Sequence, residues 1–167
     1  MADNWLFLGI TAATVVDAFL YILPAYVTIV AAAIFGGGKP IDLGKTFFDG
    51  RRVLGDGKTF RGFFAGLAAG LCCGAALGNT TLGLFLSLGA LVGDIIAAFF
   101  KRRIGLERGA PAPGLDQLDF LAGALLLGCF VQPPTIDTVF ITVVITPLLH
   151  LTVNLLGHLL GLKAVPW

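Results

Sequence analysis

Charge is what this sequence has least of. Only 13% of its 167 residues are Asp, Glu, Lys or Arg, against about 25% in an average soluble chain. A water-facing surface cannot be covered with so few charges, so an ordinary soluble domain is excluded and lipid must be the solvent for much of the molecule. Cysteine is scarce as well. Cys72, Cys73 and Cys129 sit inside apolar runs, so no disulfide framework is implied, and small buried apolar residues are a better reading than a metal site. The two histidines of the fifth apolar run, His150 and His158, are eight positions apart, which is not the i, i+4 spacing of a zinc-protease pair. No Lys or Arg precedes the first apolar run, so a first membrane span is expected there rather than a cleavable signal peptide.

Apolar residues make up 57% of the chain, with a mean hydropathy of +0.93. A spanning helix needs about 20 of them, so five spans would use roughly 100 residues and leave no room for a second, soluble domain. The expected fold is an all-α integral membrane protein, one catalytic domain over 1–167, with five transmembrane helices at about 5–35, 62–78, 81–100, 118–132 and 138–162. The first carries Asp17 and Pro24 and is long enough to tilt, kink or project. The fourth is short, with Asp116 and Asp119 in its polar start.

Net charge is only +1, but its distribution is informative. Ten of the eleven Lys and Arg fall in two segments, Lys39 to Arg61 and Lys101 to Arg108, and the last is Lys163. By the positive-inside rule the loops at about 36–61 and 101–117 are cytoplasmic. The turns at Gly78–Thr80 and Gln132–Asp137 contain no Lys or Arg and are expected outside, with the N-terminus. That puts the C-terminus in the cytoplasm of a multi-pass cell-membrane protein.

Two polar or small-residue stripes bear on packing. Gly62, Gly66, Gly70, Gly74 and Gly78 recur every four residues, a pattern that lets a neighbouring helix approach closely. Thr138, Thr142, Thr146, His150, Asn154 and His158 repeat at the same interval, and such a line should face protein or a wet cavity. Interhelical hydrogen bonding explains it better than catalysis, and Asp17 is expected to bond to it, with reach toward the site from below as the alternative.

The first basic segment reads GGGKPIDLGKTFFDGRRVLGDGKTFRG, with GKTF at Gly44–Phe47 and Gly57–Phe60. It is no Walker A loop, because Arg52 and Lys39 stand where the first Gly is required. It is a Gly-rich chain presenting Lys45, Arg51, Arg52, Lys58 and Arg61 with backbone amides, suited to a polyanion at the membrane surface. Basic loops are also what positive-inside topology produces on its own. In the second segment, Asp94 lies inside an apolar run and is a functional candidate on grounds of cost alone. Lys101 stands two helical turns on, sharing its face. Asp116 and Asp119 share a face of the next helix. Three converging carboxylates make a hard oxygen site of the kind Mg²⁺ uses with substrate phosphates. Capping and ion pairing would explain one aspartate at a helix start, but less well three.

Gly93-Asp94, Lys101-Arg102, Pro113-Gly114 and Asp116-x-x-Asp119, in that order, resemble a contracted signature of the CTP-dependent phosphatidate cytidylyltransferases. The archaeal branch, the CDP-archaeol synthases, is more similar, with its GKTF and GDGKTFRG first loop and its second loop of the KRR to LDQLDF type. This sequence lacks the His-Gly-Gly insertion of the bacterial enzymes, and has Gln117 for the Arg of DRxD and Glu107-Arg108 for Lys-Asp. The resemblance implies transfer of CMP from CTP to the phosphate of 2,3-di-O-geranylgeranylglyceryl phosphate, an isoprenoid ether lipid, with release of pyrophosphate. It further implies Mg²⁺ on Asp94, Asp116 and Asp119, with Lys101 also catalytic. Lys58, Thr59, Arg61, Lys101 and Arg102, with Lys45 and Asp56, would serve CTP or lipid phosphate. Membrane lipid is an expected partner and nucleic acid is not. Two other readings fit parts of the sequence: a CTP-dependent polyprenol or lipid kinase, and a small membrane transporter using Asp17, Asp94, His150 and His158.

Overall fold

The computed structural model describes residues 10–106, 110, 112 and 114–159, apart from the side chains of 153, 154 and 156–158. Five helices account for most of it: α1 (Ala12–Ile34), α2 (Phe60–Ala76), α3 (Thr80–Arg103), α4 (Leu115–Gly128) and α5 (Ile136–Leu159). Hydroxyl and amide side chains start four of them. Thr11, Thr59 and Asn79 accept from the backbone N–H groups of Thr14, Gly62 and Leu82, and Thr135 accepts from that of Thr138, filling bonds the first helical turn leaves open. α1 continues through Pro24, whose carbonyl accepts from the Thr28 hydroxyl at 2.7 Å.

α1 and α3 are long and apolar enough to cross a membrane, and α2 and α5 contain shorter apolar stretches. α3 runs on through Lys101, Arg102 and Arg103, so the basic triplet is the last turn of a helix, where positive charge suits the dipole. α4 begins at Leu115 and has 14 residues. At 1.5 Å per residue it reaches about 21 Å, short of the roughly 30 Å hydrocarbon thickness.

α1 touches each of the other four helices, while α2, α3, α4 and α5 are packed in sequence around it. The core is formed by Ile22 and Ala25 of α1, Leu82, Leu86 and Ala90 of α3, and Phe120, Leu121 and Ala124 of α4. Glycine sets the closest approaches. A Cβ on Gly62 or Gly66 would stand 2.7 Å from the carbonyl oxygen of Ala32 or Thr28, and one on Gly74 would stand 2.5 Å from Gly83 Cα. The α2 stripe therefore seats α2 against both α1 and α3. A second glycine contact, which the sequence reading had not singled out, joins α3 to α4. A Cβ on Gly89 would lie 2.2 Å from Gly123 O, and one on Gly93 2.3 Å from Asp119 O.

The threonine line faces inward as expected. Thr138, Thr142 and Thr146 are buried, and Thr142 and Thr146 donate to the carbonyls four residues back. The interhelical partner of Thr146 is Tyr26, whose hydroxyl lies 2.7 Å from its own, while Asp17 is exposed. The side chains of Asn154 and His158, and the whole of Lys163, lie outside the described residues. The three cysteines are free but not buried: Cys72 and Cys129 are exposed, on helix flanks that an apolar solvent would cover.

Candidate active site

The segment between α1 and α2 is folded around one carboxylate. Asp42, 7% exposed, accepts from the backbone N–H groups of Gly44, Leu54 and Gly55 at 3.1, 3.0 and 2.9 Å. Both of its oxygens take Arg52, at 2.8 and 3.3 Å. Burial pushes its pKa up, but the guanidinium and the three N–H groups outweigh it and hold the carboxyl well below the usual range. Arg52 also reaches Asp56 at 2.8 Å. Paired backbone bonds, Ile41 N–H to Lys58 O and Phe60 N–H to Lys39 O, then clamp the start of the loop against its end. This fixes where Lys58 leaves the chain.

Arginines tie the loop to α3. Arg51 donates to Arg103 O at 2.7 Å, and Arg103 donates back to Arg52 O at 2.6 Å and to Asp49 at 2.5 Å. Arg102 donates to the carbonyls of Leu54 and Leu106. Arg61 turns to the carbonyls of Phe35 and Gly36 at the end of α1.

With the loop so held, Lys58 Nζ lies 2.6 Å from both oxygens of Asp94 on α3. At Gly93, the residue just before Asp94, the backbone of α3 lies against the Asp119 carbonyl of α4, which sets Asp94 and Asp119 at the same level of the two helices. Beyond them Lys101 pairs with Asp116, which also accepts from Ala112 N–H at 2.9 Å. Gln117, which replaces an Arg of the motif, accepts from Gly114 N–H and so closes the first turn of α4, entered through Gly114 at φ +83. A cavity of ≈ 170 Å³ opens beside Lys58 and Asp94, lined also by Gly57, Thr59 and Gly62 and walled by apolar side chains of α1 and α3.

The structure thus gathers Lys58, Thr59 and Asp94 at the cavity, with Asp119, Lys101 and Asp116 in a row behind them. It does not bring Arg61, Arg102 and Asp56 there: their polar groups are engaged with carbonyls or with Arg52. Lys45 stands exposed on the loop, its backbone bonded to Asp42. Among the described residues no three acidic, His or Cys side chains are close enough to hold a metal ion as they stand; ammonium groups pair with Asp94 and Asp116. The donor set itself, carboxylate oxygen, suits Mg²⁺. Asp42 was not among the sequence candidates. Its signal is slight: an acid among the basic residues of a Gly-rich loop.

A larger hollow of ≈ 580 Å³ opens at the opposite end of the bundle, lined by Asp17, Tyr21, Asn79, Gln132 and Asp137 with no Lys or Arg among its lining residues. An anionic substrate is drawn to the loop end instead.

Three comparisons bear on this geometry. A family model described as "CarS-like: CDP-archaeol synthase" matches residues 11–167. The chain is 50% identical to the CDP-archaeol synthase of Methanopyrus kandleri, covering 88% of this chain and 90% of that protein. It is 45% identical to that of Methanococcoides burtonii, covering 87% and 99%, and 48% identical to that of Pyrococcus horikoshii, covering 90% and 96%. A solved structure described as "Structural insight into an intramembrane enzyme for archaeal membrane lipids biosynthesis" superposes with a TM-score of 0.74 at 41% identity, over 84% of this chain and 94% of that one.

Proposed function

The chain belongs to the CDP-archaeol synthase family, and from that premise we propose that it transfers CMP from CTP to the phosphate of 2,3-di-O-geranylgeranylglyceryl phosphate, forming unsaturated CDP-archaeol. A lipid phosphate oxygen attacks the α-phosphorus of CTP, the bond from that phosphorus to the bridging oxygen breaks, and pyrophosphate leaves. The observation that carries this reading is the Lys58–Asp94 pair at the cavity mouth, backed by Asp119 and the Lys101–Asp116 pair.

The nucleophile needs no strong base, since the second pKa of a phosphate monoester is near 6. The barrier is the approach of two anions, and positioning with charge neutralisation lowers it. Asp94, Asp116 and Asp119 are assigned to Mg²⁺, directly or through water, and the ion when bound supplies part of that neutralisation. Lys58 and Lys101 are assigned to the phosphates, exchanging their carboxylates for substrate oxygens as anions enter. The Thr59 hydroxyl, which accepts the α2 cap bond, keeps its own proton to donate. Arg61, Arg102, Lys45 and Asp56 act at longer range, through the shape and field of the loop.

The proposed setting is a multi-pass cell-membrane protein in which all five helices cross, the short α4 where the bilayer thins to its length, with the N-terminus outside and both loops and the C-terminus in the cytoplasm. Basic residues cluster at the loop end of the bundle, and the turns at the other end have none, which supports that orientation.

The test is CTP labelled on the α-phosphate, incubated with detergent-purified protein, Mg²⁺ and the ether-lipid phosphate. Label in lipid, lost on chelation, is the expected result. Transfer only from γ-labelled CTP would make the protein a kinase instead, and transfer from neither would overturn an enzymatic reading.

A further inference from the structure

The tip of the first loop is an apolar projection that the reaction does not use. Residues 46–52 form a small hairpin: Thr46 bridges Arg52, Phe47 N–H donates to Arg51 O at 2.7 Å, and Gly50 N–H donates to Phe47 O at 2.9 Å. Gly50, at φ +75, makes the turn. At its summit Phe48 is 99% exposed, an unusual position for a large apolar ring if the surroundings were water.

The position of this tip is fixed. The ring of Phe47 packs edge-on against Phe99 of α3, with centroids 5.4 Å apart, and against Phe48 at 5.0 Å. The Arg103 guanidinium lies over both Phe47 and Phe99, 4.8 and 5.0 Å from their centroids, while also bonding Asp49 and Arg52 O. The hairpin therefore cannot swing away from α3 without breaking these contacts together.

Its height follows from α3. Val92, Ile96 and Phe100 are exposed at intervals of four, one apolar stripe on a helix long enough to cross a membrane, so that stripe faces acyl chains. Phe99 precedes the basic triplet Lys101–Arg103 by two to four residues, about 3 to 6 Å along the axis toward the bilayer centre. Phe47 packs on Phe99, so the base of the aromatic tip lies beside the last apolar turn of α3, next to the charges that mark the headgroup level. Aromatic rings with a cation above them suit that boundary.

We infer that the 46–52 hairpin is an interfacial anchor, with Phe47 and Phe48 inserted among the lipids of the leaflet at the loop end of the bundle. The partner is the bilayer itself. The inference rests on α3 spanning the membrane and is independent of the reaction assigned above. Its consequence for that reaction is that the loop carrying Lys58 sits at the headgroup plane, where a lipid phosphate can meet CTP without leaving the bilayer.

The test places an indole at the tip, with Phe48→Trp in a chain whose own tryptophans are removed by Trp5→Phe and Trp167→Phe. The protein is reconstituted in phosphatidylcholine and phosphatidylglycerol vesicles whose acyl chains are brominated near the headgroup. The expected result is fluorescence quenched about twofold or more by the lipid bromines, little affected by aqueous iodide and unchanged by CTP. Quenching by iodide alone would overturn the proposal. So would protection from iodide that appears only with CTP, which would make the tip a cover for the nucleotide, or only at high protein density, which would make it a contact between copies. A second arm uses Phe48→Ser, at a side chain that contributes nothing to the buried core. The KM for lipid phosphate presented in vesicles should rise roughly fivefold while the KM for CTP holds. If the fluorescence arm succeeds and no turnover is found, the anchor stands and the assigned reaction fails.

Discussion

At the loop end, the guanidinium groups of Arg51, Arg52, Arg61, Arg102 and Arg103 bond backbone carbonyls or loop carboxylates, whereas the ammonium groups of Lys58 and Lys101 hold the helix carboxylates Asp94 and Asp116. The division follows from shape. A guanidinium offers five donors in one plane and can join several acceptors into a rigid frame, while an ammonium is a compact charge on a flexible stem that can change partner. Arginine here builds the loop and lysine stands where a substrate can compete for it.

That comparison is broken most severely from the carboxylate side. Asp94→Asn or Asp119→Asn should lower cytidylyl transfer by roughly 10²- to 10³-fold, with the helix content and melting of the detergent-solubilised protein nearly unchanged. Near-normal turnover in Asp94→Asn would remove it from the site. A smaller loss, about 10²-fold, is expected for Lys58→Arg. A fixed, planar fork in place of the exchangeable ammonium should keep the pair to Asp94 and lose the exchange. If Lys58→Arg works as well as the wild type, then the distinction drawn between the two cations does not hold at this position.

Much of this was legible in the sequence, and the exceptions have physical reasons. Asp94 declared itself by its cost inside an apolar run, and Asp116 with Asp119 by their spacing. The α2 glycine stripe was visible because a repeat of four makes a period, although its last member, Gly78, lies beyond the helix and meets nothing within 4 Å. The packing contact of Gly89, Gly93 and Gly123 was not, since each helix carries only one or two of them and their meaning lies in the meeting of α3 with α4. Arg61 and Arg102 looked like phosphate ligands because charge can be read from sequence and orientation cannot. Their forks turn to the carbonyls of Phe35, Leu54 and Leu106, in the segments that follow α1 and α3, acceptors that only the folded loops bring within reach. Asp42 was missed for the converse reason: its importance comes from three amides converging on it from both limbs of the loop.

The two glycine contacts sharpen the comparison between frame and site. Gly74→Ala meets Gly83 Cα and Gly93→Ala meets Asp119 O at similarly impossible distances, so each should cost about 1–3 kcal/mol of stability. Only Gly93→Ala moves the backbone that carries Asp119 against Asp94. In protein recovered folded, Gly93→Ala should lose roughly tenfold more specific activity than Gly74→Ala, measured side by side after thermal selection. Equal losses would mean that the α3–α4 contact is packing alone.

The weakest expected effect tests the frame by itself. Asp42→Asn keeps the shape of the side chain but removes the charge that Arg52 and three N–H groups converge on. Its folded-state pKa is lowered, so the stability it contributes is present above the unfolded value of about 3.9 and is lost as pH falls through the folded one. Between pH 5 and 8 the wild-type loop should therefore show no change in hydrogen-exchange protection at Leu54 and Gly55 beyond the intrinsic pH dependence of exchange. Loosening should begin only below about pH 4. Asp42→Asn should be loosened throughout that range, with KM for CTP raised several-fold and kcat little changed, because Lys58 is still attached to a loop that has lost its clamp but none of its chemistry. A fall in kcat of the size seen with Asp94→Asn would instead place Asp42 among the groups that touch the reacting phosphates, and the line between a frame built on arginine and a site built on lysine would have to be redrawn.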